Sequence, residues 1–93
     1  MHVALVTVRL RADWCNSLKD KRSEVKTLVS GVRNRFNAAC CESGALDEMR
    51  LIEISACFLA HDRAQGDAIA ARIEGFIASR TDAEVLSAEL EYR

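Results

Sequence analysis

Four cysteines, two histidines and a concentration of basic residues between Arg9 and Arg35 are the side chains in these 93 residues most able to do chemistry. A metal needs donors at chelating intervals, yet Cys15, Cys40, Cys41 and Cys57 contain no C-x-x-C step, and His2 and His61 do not complete a set. No metal and no disulfide framework is expected; reduced cysteines packed as small hydrophobes account for the pattern. Cys40-Cys41 invites a thiolate reading, but strand alternation turns only one of them inward, and a reactive thiol needs positive charge and exposure. In His61-Asp62-Arg63 a carboxylate adjoins a histidine. Adjacent residues at a strand-to-helix junction point apart, which leaves Asp62 as a helix cap. Gly31, Gly44, Gly66 and Gly75 are too dispersed to cradle a phosphate, and no G-x-S-x-G or Walker pattern occurs. Trp14, the sole tryptophan, reads as a loop anchor rather than a stacking platform. These residues predict no catalytic group, no cofactor and no small-molecule substrate.

The cations say more. Up to Cys41, eight Lys and Arg face three carboxylates, whereas the remainder sets five arginines against eleven carboxylates. Projecting residues 18–36 as a helix at about 100° per residue places Lys19, Arg22, Lys26 and Arg33 on one narrow flank, beside an apolar stripe of Leu18, Val25, Leu28, Val29, Val32 and Phe36. Lys21 and Arg35 fall on the other flank near Glu24. Such a ridge can meet successive phosphates, with Arg9 and Arg11 in support. The plainer alternative is that these side chains cover the edge of the stripe and pair with acidic residues of the last strand or of a second subunit.

The elements that must position these groups follow from periodicity. Val3 to Arg11 alternates as a strand, with Ala4, Val6, Val8 and Leu10 on one face. Ser17, three residues before Asp20, forms a capping box that starts a helix near Leu18. Asn37 stops it, Ala38 to Glu42 reads as a short strand, Ser43 to Glu48 as a turn and Met49 to Ala60 as a long strand with Ile52, Ile54, Ala56, Phe58 and Ala60 facing the core. Asp62 and Gln65 cap a second helix carrying Ile69, Ile73, Phe76 and Ile77 on one side. In Glu84 to Tyr92, alternation sets Leu86, Ala88, Leu90 and Tyr92 inward and Val85, Ser87, Glu89 and Glu91 outward.

The order βαββαβ, with one apolar face per helix, predicts a single domain over residues 1–93: a ferredoxin-like α+β fold with both helices on one face of a four-stranded antiparallel sheet. Acylphosphatases of this fold hold phosphate in a glycine-rich loop after the first strand, but here Ala12 to Asn16 contains no glycine. No apolar run approaches the roughly 20 residues of a membrane helix, and the first ten residues lack the marks of a signal peptide, so the cytosol is the expected compartment.

The uncovered sheet face would display Val3, Leu5, Leu51, Leu59 and Val85 among charged residues. With no aromatic there, base stacking on the sheet is disfavoured. The apolar residues suit self-association as a homodimer, arginines of one copy meeting glutamates of the other.

The run Ser17-Leu18-Lys19-Asp20-Lys21-Arg22, continued through Val25-Lys26, Leu28 and Arg35-Phe36-Asn37, resembles the YlxP-like family of small bacterial proteins (domain of unknown function 503). Arg9-Leu10-Arg11 and Asp62-Arg63 extend the likeness nearly end to end. The resemblance implies a ferredoxin-like fold, no established catalytic residue or cofactor, and genes that neighbour translation-initiation and ribosome-maturation factors. The Trp14-Cys15 loop, Cys40-Cys41 and the turn from Cys41 to Met49 depart from it. The resulting expectation is a non-enzymatic binding protein for RNA or a ribosomal subunit; the alternative is a self-associating module without a nucleic-acid role.

Overall fold

The computed structural model describes residues 1–93. Strand β1 (His2–Arg11) leads to helix α1 (Leu18–Arg35), then β2 (Ala39–Gly44), β3 (Leu51–Ala60), α2 (Arg63–Ser79) and β4 (Glu84–Tyr92). The strands pair antiparallel in the order β2-β3-β1-β4. The two halves of the chain therefore interleave, β1 and β3 at the centre and β2 and β4 at the rims. This is the ferredoxin-like α+β fold that the periodicities predict.

Both helices start on a variant of the capping box in which the third helical side chain accepts from the amide just before the N-cap, Asn16 in α1 and His61 in α2. The Ser17 hydroxyl accepts from Asp20 N at 3.1 Å while the Asp20 carboxylate accepts from Asn16 N. Asp62 accepts from Gln65 N at 2.8 Å while Gln65 accepts from His61 N at 2.7 Å. Each box satisfies amides that have no partner within the helix, stabilising it by about 1 kcal/mol.

The inward residues of β1 and β3 (Ala4, Val6, Val8, Leu10, Ile52, Ile54, Ala56, Phe58) interlock with Leu28, Val32, Ile73 and Ile77 of the helices. Each fully buried Leu or Ile stabilises the fold by about 1.5–3 kcal/mol. At the seam between the helices the Phe76 ring packs against Gly31, where a Cβ would lie 2.9 Å from it. At the other end of α2 the Tyr92 hydroxyl donates to Asp67 at 2.5 Å and reaches Arg63 O at 2.9 Å. Gly66 leaves room for that ring.

Two positions correct the projection. Lys21, placed with Arg35 on the flank near Glu24, is 1% exposed and sits inside the stripe. Its ammonium donates to Ala45 O and to Glu48 O, the latter at 2.7 Å, and lies 3.1 Å from a Glu42 carboxylate oxygen. That oxygen is buried and lies off the direction of a hydrogen bond, so Lys21 supplies it with charge compensation only. Ala45 holds a left-handed backbone, φ 54°, which turns its carbonyl toward the ammonium and costs about 1 kcal/mol for a residue with a side chain. Lys21 thus pins the β2–β3 connection to α1.

The second correction is in β4. A bulge shifts the register between Arg9 and Leu10, so Val85 pairs with inward-facing Leu10 and packs on the core, while Leu86 turns to solvent. A strict two-residue period cannot foresee one extra residue. A second bulge lies in β2, between Glu42 and Gly44.

Replacing the buried ammonium would leave two carbonyls and a carboxylate unmatched. Lys21→Ala is expected to lower unfolding free energy by about 3 kcal/mol, read as a fall in the urea midpoint; Lys19→Ala, exposed one turn face away, should shift it by less than about 0.5 kcal/mol.

Candidate nucleic-acid interface

Helix α1 lies over β2 and β3, and its apolar stripe fixes which way its other faces point. Lys19, Arg22, Lys26 and Arg33 all emerge exposed on the flank along the β2 rim. Arg33 Nε donates to Cys40 O at 3.0 Å, which holds that guanidinium against the strand. Lys19, Arg22 and Lys26 engage no carboxylate and no hydrogen-bond acceptor of the chain. The spacing of three and four residues puts them about one helical turn, 5.4 Å, apart. The structure brings these four together as the projection predicts.

Arg9 and Arg11 are elsewhere. Arg9 lies on the open sheet face between Glu53 at 2.8 Å and Glu89 at 3.4 Å; Arg11 lies between Glu84 at 2.6 Å and Asp13 at 3.6 Å. Both are committed within the chain and do not join the ridge. The centre of that face is polar, with Ser55 Oγ 2.9 Å from Thr7 Oγ1 and 2.6 Å from Ser43 Oγ.

The expected self-association patch is divided in the same way. Val3 pairs with Leu59 and Leu5 with Cys57, so these form one apolar end of the face, where Leu59 is 62% exposed. Leu51 pairs with Arg11 at the opposite end, and Val85 belongs to the core. The glutamates of the last strand, Glu84, Glu89 and Glu91, have Arg11, Arg9 and Arg93 of their own chain.

The cysteines separate by depth. Cys15 and Cys40 are buried, Cys57 is half-buried and Cys41 is exposed. Burial pushes the Cys40 thiol up to about 11, with Cys41 adding to the rise and Arg33 opposing it; burial, then Asp20 and Glu24, raises Cys15. Neither is a ready nucleophile at neutral pH. No three His, Cys, Asp or Glu side chains converge as metal donors. Asp62 is occupied as a cap, so the His61-Asp62 pair forms no acid–base unit. Trp14 lies 43% exposed at a shallow hollow with Glu24, Arg80 and Asp82.

Sequence reasoning missed a second group of cations. Arg35, Arg72 and Arg80 gather on the seam between α1 and α2, over the rings of Phe36 and Phe76 at 4.9–5.6 Å. No local spacing marks it, because Arg35 lies over Phe76 and Arg72 over Phe36, each contact crossing from one helix to the other.

With the geometry established, the family model described as protein of unknown function (DUF503) matches residues 3–90. The chain belongs to this family. No curated protein matches the DUF503 chain. Among solved structures it is similar to the Bacillus subtilis YXEP protein, a dinuclear metal binding peptidase from the M20 family, at 13% identity with a TM-score of 0.52. That likeness covers 97% of the DUF503 chain and 25% of the peptidase, so the chain spans about a quarter of that structure's length, and the shared feature is the fold. No helix is long and apolar enough to cross a membrane.

The raised thiols and the Tyr92 hydroxyl, held at about 12 by burial and by Asp67, set an alkaline limit. A group whose pKa is raised by folding contributes full stability below its unfolded value and loses it as pH climbs through the folded one. Stability in urea is expected to hold up to pH 9 and to decline from there toward pH 11. In Cys40→Ala the decline over that window should be shallower.

Proposed function

We propose that this protein is a non-enzymatic, cytosolic RNA-binding factor, with structured RNA or a ribosomal subunit as partner, and that the α1 ridge is its contact surface. The observation that carries this reading is the contrast between two sets of cations. Arginines of the sheet face are matched to carboxylates within the chain, whereas Lys19, Arg22 and Lys26 stand on a rigid helix with no acid partner. Three aligned, solvated charges on one flank are suited to a phosphate backbone, where each neutralised phosphate releases counterions. Arg33 continues the line while tied to Cys40 O, so its position is already ordered. Arg9 and Arg11 are left out of the proposed surface because their carboxylates already neutralise them.

In a binding titration with structured RNA at about 50 mM salt, Lys19→Glu with Arg22→Glu should weaken affinity at least tenfold and lower the log–log salt slope by about 2. Arg9→Gln should leave both unchanged. Absence of salt-dependent binding by the unmodified protein would end this reading.

A second reading, a homodimer, is favoured by the exposure of Leu59 beside Val3 and Leu5. Light scattering coupled to size exclusion should then show a dimer that Leu5→Asp converts to monomer; a monomer at every concentration tested removes it.

A further inference from the structure

Two of the arginines on the helix seam, Arg35 and Arg72, line a hollow beside it. A pocket of about 550 Å³ opens between the end of α1, the end of β3 and α2. Its floor is Phe36, Phe58 and Ile69, with Leu59 at the open sheet edge, and its charged side chains are Arg35 and Arg72. A shallower groove continues from these arginines past Phe76 to Arg80. No carboxylate lines either space.

Three features make this more than a gap in packing. Arg35 lies over the Phe76 ring at 5.5 Å and Arg72 over Phe36 at 5.6 Å, contacts that hold both guanidinium groups at the seam and use none of their N–H donors. Neither donates a hydrogen bond or forms an ion pair within the chain, unlike Arg9, Arg11 and Arg93. The apolar floor is also accessible because β2 begins only at Ala39, opposite Cys57, so the last residues of β3 have no strand beside them on that side.

We propose that this pocket binds a small amphiphilic anion, its carboxylate or phosphate head held by Arg35 and Arg72 and its apolar body laid against Phe36, Phe58 and Ile69. The volume falls in the range of small-ligand sites, which combine an apolar lining with a few convergent polar groups. Fork-shaped guanidinium donors match either head group in a bidentate manner. Arg80, at the outer end of the groove, adds attraction for a second negative charge. The site lies on the flank of α1 opposite the ridge and does not depend on RNA binding.

The test is a titration of the isotope-labelled full chain followed by amide shifts, with octanoate, octyl phosphate, octanol and inorganic phosphate as probes. Saturable shifts confined to the Phe36–Ala38, Leu59 and Ile69 region with octanoate or octyl phosphate are expected. Arg35→Gln with Arg72→Gln should weaken that binding at least tenfold. Tighter binding of octyl phosphate than of octanoate assigns the head group as phosphate, and the reverse order assigns it as carboxylate. Octanol binding as tightly as the anions would overturn the role of the arginines, and inorganic phosphate matching octyl phosphate would overturn that of the apolar floor. Because these comparisons use the unmodified chain, they decide the matter even if the double variant does not fold. No saturable shift with either anion sinks the proposal.

Discussion

A single ammonium group inside the helix–sheet interface holds one end of this fold together. Lys21 occupies a place where an aliphatic residue would satisfy the hydrophobic stripe, and instead it extends to the β2–β3 connection to meet Ala45 O, Glu48 O and the Glu42 carboxylate. The same connection is tied to the loop after β1, where Ala12 N donates to Arg50 O at 2.8 Å and Arg50 reaches Asp13 O. The β2–β3 connection is therefore held from two sides, by Lys21 of α1 and by the loop after β1. Burying an ion costs several kcal/mol unless its surroundings answer it, so the loop has few ways to rearrange without stranding the lysine. The left-handed backbone at Ala45 is a local cost that this arrangement imposes.

The layers of the molecule differ in how they treat arginine. On the open sheet face, cross-strand neighbours place Arg9 against Glu53 and Glu89, and Arg11 against Glu84, so the surface is close to self-neutral. The helical layer lacks that matching. Apart from buried Lys21, its cations include Lys19, Arg22 and Lys26, free in solvent along the ridge, and Arg35, Arg72 and Arg80, which lie over phenylalanine rings at the seam. A near-zero net charge for the whole chain conceals this division.

Most of the architecture was legible because period two and period 3.6 are unambiguous in β1, α1, β3 and α2, and because both capping boxes mark helix starts. The ridge was legible for the same reason: Lys19, Arg22, Lys26 and Arg33 follow from the position of the stripe. Lys21 was misplaced although the projection held the answer, since at about 100° per residue it falls within about 20° of both Leu28 and Val32. Val85 and Leu86 were exchanged because a bulge inserts a residue that no local pattern announces. The partners of Arg9 and Arg11 depend on strand register across three strands, and the Arg35–Arg72 seam depends on how two helices pack; neither is written in any one segment.

The two bulges have a consequence at the rims of the sheet. Both outer strands, β2 and β4, join their neighbours through a shifted register. A kinked rim makes a poor template for an incoming extended chain, because its free amides and carbonyls do not form one straight ladder. The displaced residues thus guard a sheet with no covering strand at either side against the run-on stacking of identical molecules that builds fibrils.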